Sequence, residues 1–230
     1  MKRQKSKRMR EIVSFLKGEG AEEKSVSEAV NCLQGCPSVK FDQTVEMALR
    51  LGVDPKKSDQ QVRGTVVLPH GTGKKNVILV FARGEKVEEA LAAGADYAGD
   101  EEYVQKILAG WMEVSLIIAT PDRMREVGKL GKILGPRGLM PSPKAGTVTQ
   151  QVGQAVEEFK RGKVQFKVDR DANIHLGVGK LSFDCQSLVE NVASVKEAVM
   201  GAKPATAKGT YIRSCVLSSS MGPGISIRLG

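Results

Sequence analysis

From Val39 to Leu51 the apolar residues Val39, Phe41, Val45, Met47, Leu49 and Leu51 take odd positions, while Lys40, Asp42, Thr44, Glu46 and Arg50 take even ones. A period of two belongs to a strand with one face on a core and the other toward water, so a half-buried strand is predicted there. Helical spacing comes earlier. Met9, Ile12, Val13, Phe15 and Leu16 fall near one face, after a basic arm at residues 2 to 10 that a solvated tail would also explain. Ser25 followed by Glu28 makes a capping box for a short helix through about Leu33, ended by Gly35 and Pro37. A second strand, about Val62 to Leu68, stops at Pro69-His70-Gly71-Thr72-Gly73, which reads as a domain boundary.

After that break the pattern changes. Short apolar runs at Asn76 to Ala82, near Tyr97 and at Val114 to Thr120 alternate with helical segments at Glu85 to Ala93 and Asp100 to Leu108, and another helix follows around Val152 to Phe159. Continuous apolar strands separated by helices predict βαβ units and a parallel sheet covered on both faces. Past Arg161-Gly162, two-residue alternation returns at Lys163 to Val168 and Ile174 to Val178. A helix of about Gln186 to Met200 follows, with Leu188, Val192, Val195 and Val199 on one face, then strands at Gly209 to Leu217 and Ile225 to Leu229. Neither end of the chain has enough elements to cover a sheet alone. The predicted class is therefore α/β in the broad sense: a split α+β domain from residues 1–68 and 160–230, with an antiparallel sheet built from both chain ends. A Rossmann-like three-layer α/β domain at 69–159 is inserted, hinged at Pro69 to Gly73 and at Arg161-Gly162.

One stretch fits neither period. Gly128 to Thr147 reads GKLGKILGPRGLMPSPKAGT, with five glycines, three prolines, the cations Lys129, Lys132, Arg137 and Lys144, and no acid. After Leu134 the prolines and glycines permit only a shaped loop. It is either a solvated connector or a basic loop with a partner; Lys132, Arg137 and Lys144 are its candidate contacts.

Charge sharpens the division. The chain has 35 Lys+Arg against 26 Asp+Glu, a net charge of +9, which favours a polyanionic partner. Residues 69–159 hold 11 cations and 12 acids, net −1, so the remaining 24 cations and 14 acids put +10 on the split domain. The longest apolar runs are strand-sized, far short of the ~20 residues of a spanning helix, and a cytoplasmic protein without a membrane partner is expected.

Enzymatic and cofactor motifs fail one by one. Gly71-Thr72-Gly73-Lys74-Lys75 lacks the first glycine and the final hydroxyl residue of a phosphate-binding P-loop, since Leu68 and Lys75 stand there. No G-x-G-x-x-G follows the first parallel strand. Cys32-x-x-x-Cys36 has no second close pair to complete a zinc site, and His70 and His175 flank no nucleophile. No catalytic residue, metal or cofactor is predicted.

The end of the chain carries different chemistry. Ser214, Ser218 and Ser220 share one parity and lead into Met221-Gly222-Pro223-Gly224. Hydroxyls and bare backbone suit the 2′-OH and phosphate groups of a shallow RNA minor groove, and Met221 can pack on a ribose or base; a flexible Ser-rich turn is the alternative.

The Gly128 to Thr147 stretch, with LGVDPKKSDQQVRGTVVLPHGTGK at 51–74, AGADYAGDEE at 93–102 and the terminal SSSMGPG, resembles the family of bacterial large-subunit ribosomal protein one, the protein of the mobile stalk, in collinear order over essentially the whole chain. The resemblance implies two domains, binding to the stalk region of large-subunit rRNA, repression of the protein's own operon mRNA through a similar RNA site, and help with release of deacylated tRNA from the ribosomal exit site. It implies a protein that is monomeric when free. The family's RNA-contacting positions match Glu28, Lys40, Phe41, Thr44, Ser214, Ser220, Met221 and Gly222, and Lys167 falls where the family has a basic residue near a strand end. The parity of Phe41 puts it on the buried face unless a bulge turns it outward. Ser220 stands where many members have Thr, and keeps the hydroxyl.

Overall fold

A computed structural model describes residues 6–19, 23–37 and 39–228. It is a mixed α/β structure of two compact units, residues 1–73 with 166–230 and residues 74–165. Counted on these bounds, the second unit holds 14 Lys+Arg and 12 Asp+Glu, net +2, and the first holds 21 and 14, net +7. Lys160, Arg161 and Lys163 join the second unit, so the basic excess is less one-sided than the bounds 69–159 suggest.

In the first unit, helices α1 (Lys7–Glu19) and α2 (Val26–Gln34) precede strand β1 (Thr44–Leu51). The first part of the basic arm, residues 1–5, lies outside the described residues. Ser25 and Glu28 form the expected capping box, the Ser25 hydroxyl accepting from Glu28 N–H and the Glu28 carboxylate from Ser25 N–H at 2.8 Å. Within β1 the two-residue period holds: Val45, Met47, Leu49 and Leu51 are buried, and Glu46 and Arg50 are exposed. The predicted strand is too long at its start. Its neighbours end at Lys180 and Ser219, so residues 39–42 have no ladder to join, and the side chains of Asp42 and Gln43 bind loop backbone instead.

Strands β7 (Asn173–Lys180), β8 (Ile212–Ser219) and β9 (Gly224–Ser226) complete an antiparallel sheet of order β7-β1-β8-β9. The last two differ from their predicted bounds: β8 begins only after Gly209, whose φ is 78°, and runs on through Ser219, while β9 ends at Ser226, the predicted end at Leu229 lying outside the described residues. Helix α8 (Cys185–Gly201) and α2 cover one face of the sheet, over Met47, Leu49, Ile174, Val178, Cys215 and Leu217. Leu188, Val192, Val195 and Val199 of α8 are all buried, as their spacing predicts. Strands β2 (Arg63–Val67) and β6 (Lys163–Lys167) form a separate two-stranded ribbon.

The second unit is built on a parallel sheet of order β4-β3-β5, from β3 (Ile78–Phe81), β4 (Tyr97–Gly99) and β5 (Leu116–Ala119). Its apolar strands feed two cores by alternation. Ile78, Val80 and Ile118 meet α3 (Glu85–Ala92) and α7 (Val152–Lys160), whereas Leu79, Phe81 and Ile117 meet α4 (Glu101–Leu108), α5 (Met124–Lys129) and α6 (Gly131–Leu134). The Gly128 to Thr147 stretch is thus helical at its start, with Leu130 and Leu134 buried, and a shaped loop afterwards. Thr147 pins that loop: it is 2% exposed, and its hydroxyl accepts from Ser142 N–H at 2.8 Å while its backbone carbonyl accepts from Ala119 N–H.

Candidate nucleic-acid interface

The start of β1 and the end of β8 meet at one corner of the antiparallel sheet. Ser220 N–H donates to the Thr44 carbonyl at 3.1 Å, and the Ser220 hydroxyl accepts from Thr44 N–H at 3.1 Å. Met221 N–H donates to Gln43 Oε1 at 3.0 Å. Lys180 Nζ donates to Thr44 Oγ1 at 3.2 Å and to the Asp42 carbonyl at 3.3 Å. The Asp42 carboxylate accepts from both the backbone and the hydroxyl of Ser182. Three chain segments are therefore tied together by hydrogen bonds, most of them side chain to backbone, each about 1 kcal/mol net and more costly to strand than to make.

Two large apolar side chains project from this fixed frame. Phe41 is 55% exposed and Met221 is 53% exposed. The buried-face parity of Phe41 does not apply, because the strand begins three residues later and Phe41 sits in a bend before it. Thr44, by contrast, is 8% exposed and its hydroxyl is engaged by Lys180, so little of it is available to a partner. Ser220 is exposed but its hydroxyl serves the Thr44 backbone. Gly222 packs tightly: a Cβ there would stand 2.1 Å from the Ser219 hydroxyl oxygen, so the Ser219 side chain would have to turn.

The sheet face away from α2 and α8 bears short or polar side chains. The register aligns Gly177, Glu46 and Ser218 in one row, His175, Ala48 and Val216 in the next, and Asn173, Arg50 and Ser214 in the third. Ser214 therefore belongs to the opposite end of β8 from Ser220, about 20 Å away at ~3.3 Å per residue.

The remaining expected positions are elsewhere. Lys40 is exposed beside Phe41, and Lys167 is exposed at the end of β6. Glu28 is exposed on α2, where its carboxylate is committed to the capping box. The Ser25 backbone N–H, then the Ser25 side chain, hold its carboxyl below the ordinary glutamate range. Lys132, Arg137 and Lys144 are exposed in the second unit, and among the described residues no ion pair engages them. Gln43 and Lys180 escape the sequence reading, although Gln43 left a signal: it is a polar residue at an odd, buried position of the β1 pattern, and it is 3% exposed.

No group of His, Cys, Asp and Glu among the described residues could hold a metal, and no described helix is long and apolar enough to cross a membrane. Cys32 and Cys36 are buried thiols that form no disulfide, with Cys36 donating to the Cys32 carbonyl. The corner carries two exposed apolar side chains beside a sheet face of short or polar ones, on a unit whose net charge is +7.

Comparison with known proteins gives the family. The model of the ribosomal protein L1p/L10e family matches residues 32–223. The "Large ribosomal subunit protein uL1" of Protochlamydia amoebophila (strain UWE25) is 58% identical over 224 residues, covering 97% of this chain and 94% of the relative. The proteins of the same name from Chlamydia abortus and Chlamydia pneumoniae are 57% and 56% identical over 203 residues, each covering 88% of both chains. This chain belongs to the ribosomal protein L1p/L10e family, whose members are structural proteins of the ribosome and not enzymes.

Proposed function

We propose that this chain binds the stalk region of large-subunit rRNA in the cytoplasm, as part of the large ribosomal subunit, and that the sheet corner around Met221 is the specific contact. In this reading the RNA is held by the discontinuous α+β domain, residues 1–68 and 160–230. The carrying observation is the pair of exposed apolar side chains, Phe41 and Met221, on a frame locked by the Gln43, Thr44 and Ser220 bonds. A partly buried apolar side chain on a ribose or base contributes specificity without counterion release, while Ser214, Ser218 and the bare backbone at Gly222 suit 2′-OH and phosphate groups. Lys40 and Lys167 supply phosphate contacts. Thr44, Ser220 and Glu28 act chiefly by holding the surface in shape, since their polar groups are used internally.

The same surface would repress translation of the protein's own operon mRNA by accepting a similar RNA fold. The inserted Rossmann-like domain, residues 69–159, would present Lys132, Arg137 and Lys144 as a secondary basic loop, and the protein would help deacylated tRNA leave the exit site. Free of the ribosome it is a monomer that needs no cofactor.

The test is a salt titration with a stalk RNA fragment. Met221→Ala is expected to weaken binding about tenfold or more with an unchanged slope of log affinity against log salt, because no phosphate contact is lost. Lys40→Ala is expected to lower the slope by ~0.7 to 0.9. A changed slope for Met221→Ala, or unchanged affinity, would count against the assignment. The operon mRNA should compete with the rRNA fragment for one site; simultaneous binding of both would remove the autoregulatory part.

A further inference from the structure

Strand β7 ends at Lys180, and a turn leads from it into α8. That turn is held from several sides within the first unit. Leu181 N–H donates to the Gln43 carbonyl at 2.8 Å, and Gln34 Nε2 on α2 donates to the carbonyls of Leu181 at 3.2 Å and Phe183 at 3.0 Å. From the start of this turn the Lys180 side chain reaches back, and its Nζ donates to the Asp42 carbonyl and to Thr44 Oγ1. These two acceptors belong to the residues on either side of Gln43. An ammonium that bonds both neighbours fixes the bend between them, and Gln43 Oε1 in turn accepts Met221 N–H at 3.0 Å.

The stem of Lys180 is placed by Gly73, the last residue of the first unit before residues 74–165. Gly73 has a φ of 68°, in the left-handed region. A Cβ on it would stand 2.7 Å from Lys180 Cγ and 3.1 Å from Cε1 and Cζ of Phe183. The nearer contact falls near the root of the Lys180 chain, not at its freely swinging end, so a methyl at 73 displaces the whole stem. The loop has little room to give way instead. Asn191 Nδ2 donates to the Gly71 carbonyl at 3.1 Å, and Asn191 Oδ1 accepts from His70 N–H at 3.2 Å.

We propose that Lys180 is a positioning residue for RNA binding at the Met221 corner, and that the bare backbone of Gly73 sets where its stem lies. A continuous set of contacts runs from Gly73 through the Lys180 stem to Asp42 and Thr44, and through Gln43 to Met221 N–H. A change of backbone shape where the chain leaves the first unit is thereby felt at the corner, and an RNA seated on the corner stabilises the Gly73 conformation in return. The role in RNA binding rests on the reading above, whereas the link from Gly73 to Met221 is a property of the free protein.

The experiment uses the full chain and a stalk fragment of large-subunit rRNA, with thermal unfolding recorded for each variant. Lys180→Met keeps an unbranched stem against Gly73 and removes the ammonium. It is expected to weaken binding about three- to tenfold with an unchanged salt slope, because two hydrogen bonds are lost and no phosphate contact is. A slope lowered by ~0.7 to 0.9 would put Lys180 on a phosphate and overturn the positioning role. Gly73→Ala is expected to weaken binding about threefold or more in the otherwise unchanged chain, and to add little in Lys180→Ala, where the displaced Cγ is gone. Equal losses in both backgrounds would sever the link. Amide hydrogen exchange of the free protein is the second readout. Thr44 and Met221 should exchange about threefold or more faster in Lys180→Met and in Gly73→Ala, measured relative to Val192 in α8, which reports global opening. Unchanged relative exchange in both variants overturns the inference. If the wild-type chain fails to bind stalk RNA while these amides respond, the functional reading falls and the link from Gly73 to the corner stands.

Discussion

Ser219 and Gly222 illustrate how a single hydroxyl and a missing methyl shape the recognition corner. The Ser219 hydroxyl is buried and has no hydrogen-bond partner among the described residues, and it occupies the space that a Cβ on Gly222 would need. Gly222→Ala should therefore cost about 1–3 kcal/mol through overpacking. Ser219→Ala removes an unsatisfied buried group and should leave stability equal or improved. The double variant should recover part of the loss, and urea unfolding of the four proteins measures the coupling; strict additivity would refute the clash. Glu28 makes the stability of α2 depend on pH. Its folded pKa lies below the unfolded value, so the capping box contributes stability above the unfolded pKa and loses it as pH falls through the folded one. The Glu28 carboxyl resonance should titrate below ~4.3, the ordinary glutamate value, and Ser25→Ala should raise that midpoint.

At the scale of elements, α8 does more than cover the sheet. Asn191, fully buried on the same helix as Leu188 and Val192, accepts from His70 N–H at 3.2 Å and donates to the carbonyls of Gly71 at 3.1 Å and Val178 at 2.7 Å. It clamps a loop whose two glycines, Gly71 and Gly73, have φ of 65° and 68°. Asn191→Leu fills similar space but strands three backbone groups, so a loss of about 3 kcal/mol or more is expected in denaturant unfolding. A loss below about 1 kcal/mol would mean that these groups find other partners. The helix itself was legible from its apolar spacing. The clamp was not, because its partners Gly71 and His70 are 120 and 121 residues away in sequence.

For the whole molecule, each compact unit has its own apolar core. A chain in which residues 74–165 are replaced by a short Gly/Ser linker should therefore fold and keep stalk RNA affinity within about tenfold of the full chain. Loss by several orders of magnitude, with the remaining unit still cooperatively folded, would move the main contact to the Lys132, Arg137 and Lys144 loop. Residues 74–165 carry a net charge of +2, so some of the salt slope should disappear with them.

Local order was written in the chain itself. The β1 alternation, the α8 stripe, the Ser25 capping box and the strand-helix alternation after Gly73 depend on neighbours two to four positions apart, and such periods can be read without a partner in view. What the tertiary structure decided were the ends of those elements and the surface between them. Phe41 is exposed because β7 and β8 stop short of it, and Ser220 spends its hydroxyl on a backbone 176 residues away. Pairing between distant segments is set by register and burial summed over the whole sheet, and no local period encodes it.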